Sequence, residues 1–196
     1  SGPSVMSPVG DDSGITWQDV SMAYTKEAFH LFVETRDNDL ALISNDEFSS
    51  ADRFRIGLAL GLPEEAAIWY EIDIAPADGD NKKPTSQVKV QVRRYPGGEI
   101  IHSAEIAAGR RRHRRGTDRW GITVPWKTIN IDPIEEAFFV QRRLSVDFAY
   151  IDIDDGKQTG AYQFMGRSGV LDDKNIKNFK RVFLRDVDWD DSPTRQ

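Results

Sequence analysis

The chain has 196 residues, 39% of them hydrophobic and 30% charged, with a formal net charge of -6 and no cysteine. That length can bury a substantial core in one domain without covalent staples. The absence of cysteine excludes disulfides, thiolate chemistry and cysteine zinc sites. The acidic balance argues against a general nucleic-acid binder, and no apolar run approaches the roughly 20 residues of a membrane helix.

Residues 1–14, SGPSVMSPVGDDSG, are rich in Ser, Gly, Pro and Asp and are expected to be loose. The opening SGPS has the look of a tag scar, so a secretory leader is expected to have been removed. Strand periodicity then recurs. Phe29, Leu31 and Val33 alternate with His30, Phe32 and Glu34. Phe54, Ile56, Leu58 and Leu60 alternate with Arg53, Arg55, Gly57 and Ala59. Ile68, Tyr70, Ile72 and Ile74 alternate with Trp69, Glu71 and Asp73, and Val88, Val90 and Val92 alternate with Lys89, Gln91 and Arg93. The PGG at 96–98 joins 87–95 to 99–107 as a hairpin.

In WGITVPW, Trp120, Ile122 and Val124 share one parity and Pro125 ends the strand. Trp120 and Trp126 are expected in the core, with a short helical turn from 126 to 129 and a second short helix at 133–137. Leu144, Val146, Phe148 and Tyr150 form a further strand, followed by the turn DDG at 154–156. Period-2 patterns with almost no helical period predict an all-β chain: an antiparallel β-sandwich, jelly-roll-like, with few short helices. The expected organisation is a loose 1–14, a module over 15–186 and an acidic tail over 187–196.

The order of these pieces resembles a known family. VSMAYTKEAFHLFVETRD resembles the opening hairpin of family 9 carbohydrate-binding modules and their DOMON-like relatives. RWGITVPWKTI resembles the later strand closing in Ile/Val-Pro-Trp, RRLSVDFAYIDIDDG the next strand with its acidic loop, and FKRVFLRD the closing strand. The resemblance spans roughly residues 15–186 and implies an antiparallel sandwich that binds a glycan. ADRFRIGLALG departs from the family pattern, keeping Asp52 but placing Arg55 where Glu is expected, which implies an altered glycan site. AGRRRHRRGTD, 108–118, has no family counterpart.

A sugar site needs aromatic faces for the C–H side of a pyranose and planar polar groups for its hydroxyls. Trp69 has outward parity with Glu71 and Asp73, and Gln91 and Arg93 share it on the following strand. If those strands pair, Trp69, Glu71, Gln91 and Arg93 line one surface. The alternative is that Trp69 packs under a loop or a second layer. By the resemblance, a second aromatic comes from the loop AYQFMGRSG, through Tyr162 or Phe164.

Asp152, Asp154 and Asp155 with Gly156 offer oxygen donors for calcium, and Asp78 and Asp80 a second set; solvated turns are the alternative. Arg110 to Arg115, RRRHRR, suits an anionic sugar through bidentate guanidinium bonds, the alternative being a solvated loop. No HExxH, GxSxG or Gly-rich phosphate loop occurs. Heme, held by relatives of the DOMON type, is not the expectation; Met22, Met165, His30 and His102 are the candidate axial groups. The leading reading is a non-catalytic module that binds a polysaccharide or oligosaccharide by aromatic stacking. It is expected to be extracellular, periplasmic or on the cell surface, and attached to a larger protein such as a glycan-active enzyme. The alternative is a structural or protein-interaction sandwich without a sugar site.

Overall fold

The computed structural model describes residues 6–9, 16–25, 27–36, 40–45, 47–64, 66–77, 88–101, 106–112, 117–129, 143–164, 170–171 and 175–183. Among them the chain forms β1 (Met6–Val9), β2 (Thr16–Tyr24), β3 (Ala28–Arg36), β4 (Arg53–Leu60), β5 (Trp69–Pro76) and β6 (Val88–Tyr95). These are followed by β7 (Glu99–Ile101), β8 (Ala107–Arg112), β9 (Thr117–Pro125), β10 (Arg143–Asp154), β11 (Lys157–Phe164) and β12 (Lys180–Phe183). Short 3-10 turns cover Phe48–Ser50, Trp126–Ile129 and Ile176–Asn178. No described helix is long and apolar enough to cross a membrane.

The strands make two antiparallel sheets, as the alternating patterns predict. One is 8-stranded, in the order β1-β11-β10-β4-β5-β6-β7 with β12 on β10, and the other is 4-stranded, in the order β2-β3-β9-β8. One edge of β10 is shared: Arg143 to Val146 pair with β12, and Ala149 to Asp154 pair with β11. The other edge pairs with β4.

The core lies where the inward parities of the two sheets meet. Phe29, Leu31, Val33, Trp120, Ile122 and Val124 come from the 4-stranded sheet. Phe54, Ile56, Leu58, Tyr70, Ile72, Ile74 and the Leu144 to Tyr150 set come from the other. Each such side chain contributes roughly 1.5–3 kcal/mol on full burial, so a one-residue slip of any strand would expose a whole row. Trp120 meets Phe54 edge-on at 4.9 Å, and its indole N–H donates to Thr35 Oγ1 at 3.2 Å. Trp126 donates to the Thr25 carbonyl at 3.0 Å, so both tryptophans sit in the core with their polar atoms met.

Four expectations need adjustment. β1 lies within 1–14 and pairs with β11, so that segment carries a strand. The strand after PGG ends at Ile101; by Ala107 the chain has crossed to the other sheet, with Ile106 buried on the way. The stretch AYQF is the end of β11 rather than loop, and Tyr162 there pairs with Tyr150. The basic run begins as strand β8, and Arg110 lies opposite Trp120 on the core parity. Arg110 is 1% exposed, its guanidinium 3.3 Å from Asp118 and 5.9 Å over the Trp120 ring, so it is a core residue. Arg111 is exposed, while 113–116, the short helix expected at 133–137 and the tail 187–196 lie outside the described residues.

Candidate functional site

The outer face of the 8-stranded sheet carries the polar residues that the inward parity leaves over. Register decides what meets there. Arg55 lies opposite Asp73 and Gly57 opposite Glu71, while Asp73 lies opposite Gln91, Glu71 opposite Arg93 and Trp69 opposite Tyr95. Directly opposed side chains on one face stand about 5 Å apart at Cβ, close enough to bond.

They do bond. Arg55 donates to both oxygens of Asp73, Nε to Oδ1 at 2.7 Å and Nη2 to Oδ2 at 2.9 Å, the bidentate fork of a strong guanidinium–carboxylate pair. Arg93 Nη1 reaches Glu71 Oε1 at 3.3 Å and Asp73 Oδ2 at 3.5 Å, and Arg55 Nε lies 3.7 Å from Glu71 Oε2. Glu71 and Asp73 are each 1% exposed, so these partners offset a desolvation cost that neither carboxylate could bear alone. Burial works against the charged form of Arg55, but the bond to Asp73 and the charges of Asp73 and Glu71 outweigh it and push its pKa above the ordinary value.

Two walls bound this grid. One is the 3-10 turn Phe48–Ser50, tied to the sheet by Arg53, whose Nη1 donates to the carbonyls of Phe48 at 2.9 Å and Ala51 at 3.1 Å. Asp52 anchors the same corner: it accepts from Ala41 N and Ile153 N, both at 2.7 Å. Asp52 thus serves as a backbone staple. Between that turn and the grid is a cavity of ≈ 280 Å³ lined by Glu47, Phe48, Ser49, Arg53, Arg55, Asp73, Gln91 and Arg93. Gln91 Oε1 and Arg53 Nε are buried and have no hydrogen-bond partner among the described residues. Burial pulls the Arg53 pKa down, against the pull of Asp73.

The second wall is a cover formed by the described residues of 170–179. Asp147 Oδ2 accepts from Val170 N at 3.1 Å. Beside it Gly57 provides the seat: a Cβ there would lie 2.3 Å from the Phe179 ring and 2.4 Å from Val170 Cγ1. Under this cover lies Trp69. It has the outward parity its strand predicts, yet it is only 5% exposed. Tyr95 stacks on it at 4.2 Å and 10°, and Phe179 meets it edge-on at 5.2 Å. The ring face expected to be open is therefore covered. Tyr95 itself is half-buried.

The grid brings Glu71, Gln91 and Arg93 together as expected and adds Arg53, Arg55 and Asp73. The outward parity of Arg53, Arg55 and Asp73 was readable; Phe48, an aromatic in a polar turn, carried no signal beyond its isolation. The Tyr162 backbone lies on β11, and its side chain is outside the described residues. Asp152 is buried, Asp154 half-buried, and Asp155 (φ 49°) with Gly156 (φ 72°) makes the tight β10–β11 turn. No three potential ligand side chains converge on a cation among the described residues. Asp78 and Asp80 lie outside them. His30 bonds Thr123 Oγ1 at 3.0 Å on the outer face of the 4-stranded sheet. His30 is opposite Ala23, so Met22 faces the other way and the two cannot flank one heme. Met165 and His102 lie outside the described residues.

The fold has relatives among solved structures. A family 9 carbohydrate-binding module from Caldicellulosiruptor kristjanssonii in complex with cellotriose matches with a TM-score of 0.54 at 9% identity. The match covers 94% of this chain and 90% of that one. A family 9 module from the same organism in complex with glucose matches with a TM-score of 0.51 at 11% identity, covering 94% and 92%. At these identities the likeness is one of fold. No protein-family model matches the sequence, and no curated protein matches it either.

Proposed function

We propose, with the family 9 fold as premise, that this chain is a non-catalytic carbohydrate-binding module whose glycan lies on the outer face of β4, β5 and β6. The observation that carries the reading is the polar cavity beside the Arg55–Asp73–Arg93–Glu71 grid. Planar, mutually oriented guanidinium and carboxylate groups present directional bonds to adjacent hydroxyls. Phe48, partly exposed on the cavity wall, and the half-buried Tyr95 are the stacking rings in this reading, in place of the covered Trp69. Structural neighbours in complex with cellotriose and glucose support a neutral sugar. The anionic alternative rested on the arginine run, whose first member is buried in the core. A polysaccharide ligand also accords with a chain that works outside the cytoplasm.

Affinity electrophoresis through neutral glucans, xylan and polygalacturonate, with calorimetry on cellotriose, tests the proposal. Phe48→Ala should weaken binding about tenfold or more while keeping a wild-type melt; Arg93→Ala should weaken it as much with a lowered but cooperative melt, because it takes a charge partner from buried Glu71 and Asp73. Equal retardation of wild type and both variants on every polymer would remove the site. The covered Trp69 favours a second reading, a protein-interaction sandwich without a sugar site, and that reading gains if no polymer retards the wild type.

A further inference from the structure

Phe32, on the outer face of the 4-stranded sheet, is 54% exposed, the most open large hydrophobic side chain among the described residues. Its ring leans over Gly121, where a Cβ would lie 3.6 and 3.8 Å from two ring carbons. Gly121 stands opposite Gly109 on β8, and neither glycine has a positive φ. The backbone therefore does not require glycine at either position, and a methyl at Gly121 would make only ordinary contacts. Glycine inside a strand weakens it and often marks a place that another molecule approaches closely. The ring and the facing glycines form a shallow apolar shelf.

Two exposed arginines bound this shelf at one end. Arg119 and Arg111 share the outward parity of Gly121 and Gly109, each roughly 7 Å along its strand from the glycine. They stand directly opposite one another across β9 and β8, and like charges so placed repel. Glu34 holds Arg119 through Nε at 2.7 Å, while Arg111 has no hydrogen-bond or ion-pair partner among the described residues. This edge is therefore locally positive, although the whole chain carries -6. Salt screens charges beyond about 8 Å, so the local balance decides what docks.

We infer that the shelf is a second carbohydrate site, taking an acidic polysaccharide of the uronate type. The Phe32 ring and the glycines receive the C–H face of a sugar. The Arg111–Arg119 pair receives its carboxylate, which relieves the repulsion between the two guanidiniums. Nucleic acid fits less well: a duplex carries a charge about every 1.7 Å of its axis, and the shelf offers a single ring for base stacking. This face belongs to the other sheet from the Arg55–Asp73 grid, so the two sites are independent.

The test compares the full chain with Phe32→Ala and Arg111→Gln on gels holding polygalacturonate, neutral glucan or no polymer, with thermal melts as the folding check. Polygalacturonate should retard wild type, and added salt should weaken that retardation. Each variant should lose about fivefold or more of the polygalacturonate affinity. Retardation by neutral glucan should not change. Arg111→Gln alters an exposed side chain without a partner, so its melt should match wild type even if Phe32→Ala lowers the melt. If polygalacturonate does not retard wild type, or retards all three proteins equally, the site falls. An equal loss on neutral glucan would show that the arginines select nothing. Tighter Phe32-dependent binding of oligothymidylate than of polygalacturonate would make the ligand nucleic acid instead. A dimer in sedimentation that Phe32→Ala dissolves would make this face an interface between copies of the chain and overturn the inference.

Discussion

Gly57→Ala tests whether the cover over Trp69 is seated as described. The added methyl would lie 2.3 and 2.7 Å from two carbons of the Phe179 ring and 2.4 Å from Val170 Cγ1. Carbon atoms pack at about 3.5–4.0 Å, so the ring must retreat by roughly 1 Å or more. It has little freedom to do so. The Phe179 N–H is bonded to the Ile176 carbonyl at 2.9 Å, and Val170 N is held by Asp147 at 3.1 Å. Overpacking of this kind costs about 1–3 kcal/mol. For a chain of this length about 2 kcal/mol lowers Tm by about 4–8 °C. Lifting Phe179 also opens one side of Trp69, so emission should shift to the red and acrylamide quenching should rise. A double-mutant cycle with Phe179→Ala isolates the cause: removing the ring makes room for the methyl, and the coupling should be about 1 kcal/mol or more. A Gly57→Ala protein that melts within about 1 °C of wild type, with unchanged quenching, would show that the cover does not rest on this glycine.

Arg110→Ala should cost about 3–5 kcal/mol, because it takes a buried charge partner from Asp118 and a cation–ring contact from Trp120; urea denaturation with an unchanged m-value checks it. Asp52→Ala removes two bonds at 2.7 Å to Ala41 N and Ile153 N and should cost about 2–4 kcal/mol, with faster amide exchange at those two positions as the signature. Burial, and next the Glu71 charge, push the Tyr95 phenol above its ordinary 10.0, against Arg93 and Arg55; burial pushes Tyr70 the same way against Arg94. Both pKa values are higher folded than unfolded. Their contribution is therefore complete below pH 10 and is lost as pH rises through the folded values. Tm should be level up to about pH 9.5 and fall above pH 10, and Tyr70→Phe with Tyr95→Phe should flatten that fall.

Which features were legible in the sequence follows from how local their cause is. Phe29, Leu31, Val33 and Phe54, Ile56, Leu58 announce a buried face by alternation alone, and the sandwich follows from enough such strands. Parity likewise placed Trp69, Glu71, Gln91 and Arg93 on one surface. What alternation cannot report is what comes to lie on that surface from elsewhere in the chain. The indole is covered by Tyr95, 26 positions on by register, and by Phe179 from the far end of the chain. Arg110 was hidden for another reason. A run of identical charges has no period, so only its pairing with Trp120 reveals that it points inward. Asp155 and Gly156 show the converse: a turn needing left-handed backbone twice over accounts locally for an Asp-Gly pair.

The cross-strand lattice of Arg55, Asp73, Arg93 and Glu71 also has a bearing on how fast and how adaptively this surface could work. A free arginine carries about 2 kcal/mol of rotamer freedom. Here that freedom is surrendered when the sheet forms, since each guanidinium is already tethered to a carboxylate on the neighbouring strand. A docking molecule would meet side chains that no longer need to search, so little disorder remains to be lost at the encounter, and the empty and filled outlines of the surface should coincide.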